Sequence, residues 1–451
     1  MNHQMQELTG YKGHALDLIK AAGASIGDKV RLTREEGENV EGLLMPRVAG
    51  RDDAHIVLKL ATGYNVGVKI SEKTRIQVLG TGAKPALSKP PTPISTKGLP
   101  QVTIFSTGGT IASRVDYRTG AVEATLSAED LYSFVPELAS EANVRAKVLY
   151  SVFSENFTTK HWKEIAESAS EEIRSGVSGV VIAQGTDTLG YCAAALSFAL
   201  QSSPIPIVFV AAQRSSDRPS SDAATNLIGA VSVAARAPFA GVVAVMHAWL
   251  SDDILVVHKG TKTRKCHTSR RDAFKSIGAA PIARFHLESR KLEMLEGDLP
   301  ARGTSELVCK PNFDDRAALV KFYPGLDPGV IDWYVAKGYR GLILEGTGLG
   351  HVSASCYPSI ERAVESGIFV GMTSQCLWGR VDMNVYSTGI DLQKIGVHPL
   401  EDMLPETAFV KLMWVLGQTD VPRDIVEMMH TNLAGEISPR RLETTEDDKD
   451  H

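Results

Sequence analysis

The sequence predicts an α/β protein, with a two-domain α/β core preceded by a small N-terminal β-barrel. Three observations predict it. From Gln101 onward, apolar runs of strand length alternate with helical patterns, the signature of α/β folds. Between Gly27 and Leu79, short strand-like runs punctuated by glycine recur at the close spacing of a small barrel. Between these regions, residues 83–100 hold five prolines with Ser, Thr and Lys and no hydrophobic period, which reads as a semi-extended linker.

At 451 residues the chain is long enough for two or three domains with substantial cores. Its 43% apolar and 22% charged content is that of an ordinary soluble globular protein. A net charge of −5 makes any contact with nucleic acid local rather than global. Cys192, Cys266, Cys309, Cys356 and Cys376 form no C-x-x-C pair, so neither a disulfide framework nor a zinc spacing is present. They are expected as reduced, mostly buried thiols of a cytoplasmic protein. The start, Met1-Asn2-His3-Gln4, lacks a basic-then-apolar signal pattern, and no apolar run approaches the ~20 residues of a membrane span.

The N-terminal domain is expected over 1–82. An amphipathic segment over residues 1–20 (Leu8, Ala15, Leu16, Leu18, Ile19) comes first. Strands follow near 27–32, 40–45, 54–60, 64–70 and 76–79. Through Lys89 there are 13 Lys/Arg against 10 Asp/Glu. This mild excess leaves a docking or spacer module and an RNA-binding barrel both open.

In the core, Val102-Thr103-Ile104-Phe105 runs into Ser106-Thr107-Gly108-Gly109-Thr110, a strand stopping at a tight turn. Glycines let backbone N–H groups approach a ligand, and the hydroxyls of Thr107 and Thr110 flank the turn. Taken alone it is equally an ordinary strand-end turn. Gly179–Ala183 likewise runs into Gln184-Gly185-Thr186-Asp187-Thr188, then into a small-residue helix from Leu189. Two such turns with threonines and an adjacent carboxylate suit a site at the carboxyl ends of parallel strands. A third strand, from Val148, ends at Ser154-Glu155-Asn156 before a helix from about Thr159; capping by Asn156 or Thr158 is the structural alternative there.

Strands are then expected at 205–210 and 241–246, with a helix at 222–235 between them. The cation-dense run Val257–Arg271 reads as a solvated loop or a nucleic-acid patch. Residues 301–336, rich in Gly, Pro and charge, read as an interdomain connection. A smaller α/β domain is expected over 337–440, with helices near 405–416 and 422–431. Its Gly346–Gly350 turn lacks the G-x-G-x-x-G spacing, and no G-x-x-x-x-G-K-[ST] loop occurs in the chain. The tail, 441–451, is acidic and expected to be disordered.

The segments Thr-Gly-Gly-Thr-Ile-Ala at 107–112 and Gly-Thr-Asp-Thr at 185–188 resemble the two signatures of the L-asparaginase family. The resemblance implies an asparaginase-like core, its catalytic domain over 101–300. It also implies carboxamide hydrolysis with Thr110 as acyl acceptor and Thr186, Asp187 and a lysine moving protons. Aligning Phe274-Lys275-Ser276 places that lysine at Lys265, with Lys262 as the other choice. Ser154 and Glu155 then grip the substrate's α-carboxylate and α-ammonium, and Tyr117 comes from a loop after the first threonine. The chemistry fits: amide hydrolysis needs a nucleophile, a group to deprotonate it, oxyanion donors and a proton for departing ammonia. No metal or cofactor is implied in this chain.

The barrel and linker, with Phe153-Ser154-Glu155-Asn156, Gln375–Val381 and Val385–Gly389, narrow the resemblance to the D-type (GatD) family of the archaeal glutamyl-tRNA(Gln) amidotransferase, from about Gly27 to Ala434. That family implies ammonia release from glutamine or asparagine. A partner protein, GatE, uses ATP and Mg²⁺ to convert Glu-tRNA(Gln) to Gln-tRNA(Gln). It further implies a homodimer within a heterotetramer, with no membrane involved. The two amide donors differ by one methylene, worth only ~1–3 kcal/mol in a pocket. Two other readings stand beside this one: a free-standing L-asparaginase with an extra domain, and a non-catalytic tRNA-binding scaffold. Intact Thr110, Thr186, Asp187 and Lys265 argue against the scaffold.

Overall fold

The computed structural model describes residues 10–439 except 36, 48–51, 62–64, 81–95, 110–113, 116–121, 124–130, 132–134, 215–220 and 296–298. Thr110, Tyr117, most of the expected linker and the acidic tail lie outside the described residues.

Five N-terminal strands, β1 (Lys29–Thr33), β2 (Asn39–Leu44), β3 (His55–Lys59), β4 (Asn65–Lys69) and β5 (Arg75–Gly80), form an antiparallel sheet in the order β4-β3-β2-β1-β5. They fall close to the runs the sequence predicts. A small sheet needs cover on its apolar face to be stable. The amphipathic N-terminal segment supplies that cover. Helix α1 (Gly13–Ala21) sets Ala15 and Ile19, one turn apart, into a core with Val30, Leu32, Leu44 and Ile56.

The larger sheet contains β6 (Gln101–Ser106), β7 (Asn143–Val148), β8 (Gly179–Ala183), β9 (Pro206–Val210), β10 (Gly241–His247) and β11 (Ile254–Lys259). Strand β7 ends where the sequence expects its third strand to begin; its alternation of Val144 and Ala146 with charged residues is what an edge strand shows. A short hairpin, β12 (Thr263–Lys265) with β13 (Phe274–Ser276), leaves the sheet before β14 (Ala283–His286) and β15 (Lys291–Met294) return. The order is β15-β14-β11-β10-β9-β8-β6-β7. The five strands from β10 to β7 are mutually parallel, and β11, β14 and β15 extend the sheet antiparallel. Both faces are covered, so the central strands read as continuous apolar runs rather than alternating ones. Helices α2 (Thr159–Arg174) and α3 (Leu189–Ala199) pack with Phe105, Ile182 and Phe209 on one face. Helix α4 (Ala223–Arg236) packs with Ile104, Val181 and Val208 on the other. Helix α3 is buried nearly all round, as its Cys-Ala-Ala-Ala-Leu sequence requires.

In space the parallel strands run β7-β6-β8-β9-β10, so chain order reverses beside β6. In open α/β sheets the crevice at such a switch, at the carboxyl ends of the strands, is where ligands bind. The two motif turns follow β6 and β8, the strands that flank it.

The smaller sheet is all parallel, with β16 (Ala317–Lys321), α5 (Gly329–Ala336), β17 (Gly341–Gly346), α6 (Tyr357–Glu365), β18 (Phe369–Ser374), α7 (Ser387–Ile395) and β19 (His398–Pro399) in turn. This corrects the expected connection over 301–336, since its second half supplies the first strand and helix of this unit. A five-residue strand among prolines, glycines and charges has too few positions to show a period. Helices α8 (Pro405–Leu416) and α9 (Pro422–His430) follow as expected.

Helix α8 packs on α3 of the larger unit, with Trp414 stacked on Phe198 at 6.0 Å between ring centroids. Two buried ion pairs fasten the same region. Lys411 donates to Glu436 and to the carbonyls of Met429 and Thr431. Lys262 donates to Asp402 at 2.7 Å, and Asp402 also accepts the Ser438 N–H. Burial pushes the Lys262 ammonium below its ordinary range, and the Asp402 charge opposes that shift. No described helix is long and apolar enough to cross a membrane.

Removing one member of a buried pair strands the other charge, at a cost of about 3–5 kcal/mol. Asp402→Ala is therefore expected to lower unfolding free energy by about that amount, measured by denaturant titration. A loss within ~0.5 kcal/mol, the range of ordinary surface changes, would show that Lys262 does not depend on this partner.

Candidate active site

The turn after β6 bends through two left-handed glycines, Gly108 (φ 107°) and Gly109 (φ 79°). Both are also sterically required. A Cβ on Gly108 would lie 2.2 Å from the Val152 carbonyl oxygen, and one on Gly109 would lie 2.5 Å from the Gly185 nitrogen. A Cβ on Gly185 would in turn meet the Ser154 side chain at 2.8 Å. The turns after β6 and β8 and the segment after β7 thus meet with little beyond backbone between them. Thr107 is fully buried, and its N–H and hydroxyl both donate to the Ala183 carbonyl, at 3.0 and 3.1 Å. It secures the β6 turn to β8 and faces no substrate. Of the two hydroxyls flanking the first turn, Thr110 alone remains a nucleophile candidate, and it lies outside the described residues.

Across the switch point, Thr186 and Asp187 are joined by Lys265. The lysine Nζ donates to Thr186 Oγ1 at 2.8 Å and to Asp187 Oδ1 at 2.7 Å. Its side chain is 15% exposed and that of Asp187 68%, so the trio opens to solvent from the carboxylate side. Lys262, the other choice for this lysine, is fully buried and paired with Asp402, so of the two only Lys265 meets Thr186 and Asp187.

The hairpin β12–β13 delivers Lys265. Strand alternation sends Arg264 to the opposite side, where it pairs with Glu406 at the start of α8, 3.3 Å away. Burial raises the Glu406 carboxyl above its usual range, and the Arg264 charge opposes it. The base of the hairpin rests on α3, since a Cβ on Gly190 would lie 2.8 Å from the Thr263 carbonyl oxygen. Sequence reasoning does not find Arg264 and Glu406. Their only local signals are a cation out of phase with Lys265 and an acid following the helix-starting Pro405.

The cation-dense run is therefore mostly consumed internally. Lys262, Arg264, Lys265, Arg270 and Arg271 each meet a carboxylate: Asp402, Glu406, Asp187, Asp272 and Asp252. Residues 266–270 are the exposed loop that the composition suggests, while the flanking cations turn inward to carboxylates.

Ser154 is buried at the start of a single 3₁₀ turn, Ser154–Asn156, and its carbonyl accepts the Thr188 hydroxyl at 2.7 Å. Glu155 is exposed. The cap of α2 is made by Thr158, one of the two residues the sequence offers for it, in a capping box with His161. Neither Ser154 nor Glu155 is needed for that purpose. Gln184 holds the second turn to α3 by donating to the Cys192 sulfur at 2.7 Å, and Trp162 donates to the same sulfur at 3.1 Å. Burial pushes the Cys192 thiol up to about 12, so it packs rather than reacts. All five cysteines are free; Cys192 and Cys356 are buried, Cys309 is partly so, and Cys266 and Cys376 are exposed, fewer buried than expected. Among the described residues, no group of three or more His, Cys, Asp or Glu converges as a metal site.

Two α/β units, with threonines and a Lys–Asp pair at the switch point of the larger, define an asparaginase-class protein. The family described as "Asparaginase, N-terminal" matches residues 101–297, and "Glutaminase/Asparaginase C-terminal domain" matches 316–429. The thermostable L-asparaginase from Thermococcus kodakarensis superposes with a TM-score of 0.68 at 30% identity, over 75% of this chain and 100% of that one. L-asparaginase I from Vibrio cholerae gives 0.66 at 25% identity, over 75% of this chain and 99% of that one. Residues 24–79, which the asparaginase families leave out, match the "GatD N-terminal domain". Along nearly the whole length, the chain is 49% identical to the D-type subunit (GatD) of the Thermofilum pendens glutamyl-tRNA(Gln) amidotransferase, over 96% of this chain and 97% of that protein. It is 50% identical to the corresponding protein of Pyrococcus abyssi, over 94% and 97%. The chain belongs to the GatD family of glutamyl-tRNA(Gln) amidotransferases.

Gly109→Ala is expected to force the two motif turns apart. The left-handed backbone alone costs about 1–3 kcal/mol for a residue with a Cβ. Chemical denaturation of the variant reads the loss directly, and an unchanged midpoint would mean that the close approach to Gly185 is not needed.

Proposed function

We propose that this chain is an amidohydrolase that releases ammonia from the side-chain amide of glutamine or asparagine. A partner protein, GatE, then uses that ammonia with ATP and Mg²⁺ to convert Glu-tRNA(Gln) to Gln-tRNA(Gln). The observation that carries the reading is the Lys265 bridge between Thr186 and Asp187, set at the switch point beside the Thr107–Gly109 turn.

In this reading Thr110, three residues past Thr107, attacks the amide carbon. A C–O bond forms, and the carbonyl electrons move to oxygen as an oxyanion. Backbone N–H groups at a turn of this kind are suitable donors for it. Collapse breaks the C–N bond, and the nitrogen leaves as ammonia with the proton given up by the hydroxyl. Water then attacks the threonyl ester, releasing the acid and restoring the hydroxyl. Thr186 and Lys265 carry protons in both halves. Lys265 donates to Thr186 Oγ1, so that oxygen accepts and its own hydrogen is available to another acceptor. For Lys265 to take a proton it must first lose one, and Asp187 holds it in place throughout. Ser154 and Glu155 grip the α-carboxylate and α-ammonium, with a carboxylate as the natural partner of an ammonium group. Tyr117, from the loop after the first threonine, is the tyrosine assigned to the substrate.

The proposed division of the chain is 1–82 for the N-terminal module, 83–100 linker, 101–300 catalytic, 301–336 connection carrying the first strand and helix of the smaller unit, 337–440 the remainder of that unit, and 441–451 tail. We place the protein in the cytoplasm, as a homodimer at the centre of a heterotetramer with two copies of GatE.

Ammonia release from glutamine and asparagine, by the chain alone and with GatE and Glu-tRNA(Gln), tests this. Partner- and tRNA-dependent activation is expected. Lys265→Met is expected to lower the rate by about 10²–10⁴-fold, the scale of acid–base catalysis, and Thr110→Val at least as much. Full activity of the isolated chain, unmoved by partner or tRNA, would instead make it a free-standing asparaginase. Wild-type rates in both variants would remove the proposed machinery.

A further inference from the structure

The hairpin that carries Lys265 has a second anchor which the chemistry above leaves unused. Each of its strands has only three residues, and Lys265 is the last residue before the loop, paired with Phe274. Two-stranded hairpins of this length do not hold their own shape in water. The base is clamped by Gly190 and by the Lys262–Asp402 pair, both on the far side of Lys265 from the loop.

The loop end is held by Arg271. Its Nη1 donates to the Leu250 carbonyl at 3.2 Å and to Asp252 Oδ1 at 2.7 Å. Arg271 is 19% exposed, whereas its partner Asp252 is 54% exposed, so the contact opens to solvent on the carboxylate side. The same Asp252 oxygen meets His247 Nε2 at 2.9 Å. His247 is the last residue of β10 and is fully buried, with Nδ1 2.7 Å from Asn226 Oδ1 on α4.

Asn226 cannot turn its amide nitrogen toward the ring. That nitrogen already donates to the Ala211 carbonyl at 2.9 Å and to Asp222 at 3.2 Å. Each imidazole nitrogen therefore faces a side-chain oxygen, which fixes the plane of the ring between α4 and Asp252. Asp252 lies between His247 and Arg271 and meets both through the same oxygen. Burial works to raise its carboxyl, but those donors outweigh it and hold the group below the usual carboxylate range.

We propose that Arg271, through Asp252 and the buried His247, positions the Lys265 hairpin by tying its loop to the end of β10. The latch fixes the distance from Lys265 to Thr186 from the loop side, as Lys262 fixes it from the base. Arg271 touches neither substrate nor the reacting atoms; it is a positioning residue. The inference rests on the reading of Lys265 as part of the catalytic machinery.

The test uses the complex with GatE and Glu-tRNA(Gln), with glutamine or asparagine as donor. Wild type is compared with Arg271→Met, Arg271→Lys, Asp252→Asn, the Arg271→Met/Asp252→Asn double variant and Lys265→Met. Misplacement of a reacting group by about 1 Å costs up to roughly 100-fold. Arg271→Met is accordingly expected to lower kcat by about 10-fold or more, with KM within about twofold and the unfolding midpoint unchanged. Arg271→Lys, which keeps a charge for Asp252, is expected to recover part of that loss. The double variant is expected to be no slower than the slower single, because both act through one contact. Unchanged kcat in Arg271→Met, no recovery in Arg271→Lys, or losses that multiply in the double variant would overturn the latch. A dead Lys265→Met beside an intact Arg271→Met defeats the latch alone. An intact Lys265→Met defeats the underlying reading of the site.

Discussion

The site depends on one close approach, the contact of the turn after β6 with the turn after β8. Gly109 faces Gly185 with no room for a side-chain carbon on Gly109, and Thr107 fastens the first turn to Ala183 with two hydrogen bonds. Parallel strands beside a switch point leave a crevice at their carboxyl ends. Here the crevice is made narrow, so that groups from separate turns meet across it. The cost is two left-handed residues, each tolerated because glycine has no Cβ to clash. The same narrowing brings Ser154, from after β7, against Gly185.

The lysine reaches this crevice by a different route. It does not come from either flanking strand but from a hairpin that leaves the sheet after β11. A small hairpin is a poor support for a residue that must sit within hydrogen-bond reach of two partners. The surrounding charges compensate: Lys262 and Arg264 bind acids at the far side and the second unit, and Arg271 binds at the loop. Ion pairs, whether buried like that of Lys262 or partly exposed like that of Arg271, add little net stability over apolar packing. Their effect is directional, because a pair is satisfied at one geometry while an apolar contact tolerates sliding.

Much of this is legible in the sequence where the information is local. The strand-to-turn motifs at 107–110 and 185–188 are contiguous, and turn chemistry is set by neighbouring residues. The N-terminal strands are legible for the same reason, from apolar runs broken by glycine. What cannot be read is long-range. The amphipathic pattern of residues 1–20 is visible, but not that Ala15 and Ile19 cover the N-terminal sheet. The 317–321 strand is lost among prolines and charges. The cations of 257–271 look like a surface patch because their carboxylate partners, Glu406 and Asp402 among them, lie far off in the chain.

The internal pairing of those cations bears on how such a protein meets tRNA. A cation already paired with a carboxylate has little left for a phosphate, since binding the phosphate means giving up the internal partner. The run nearest the site is committed in this way from Lys262 to Arg271. Its charge is largely balanced inside the molecule by these carboxylates. The second unit is tied into the same circuit: Glu406 opens α8, α8 packs on α3, and α3 begins directly after Thr188. Helix α8 thus touches the supports of both ends of the Thr186–Lys265 contact, Arg264 on one side and α3 on the other.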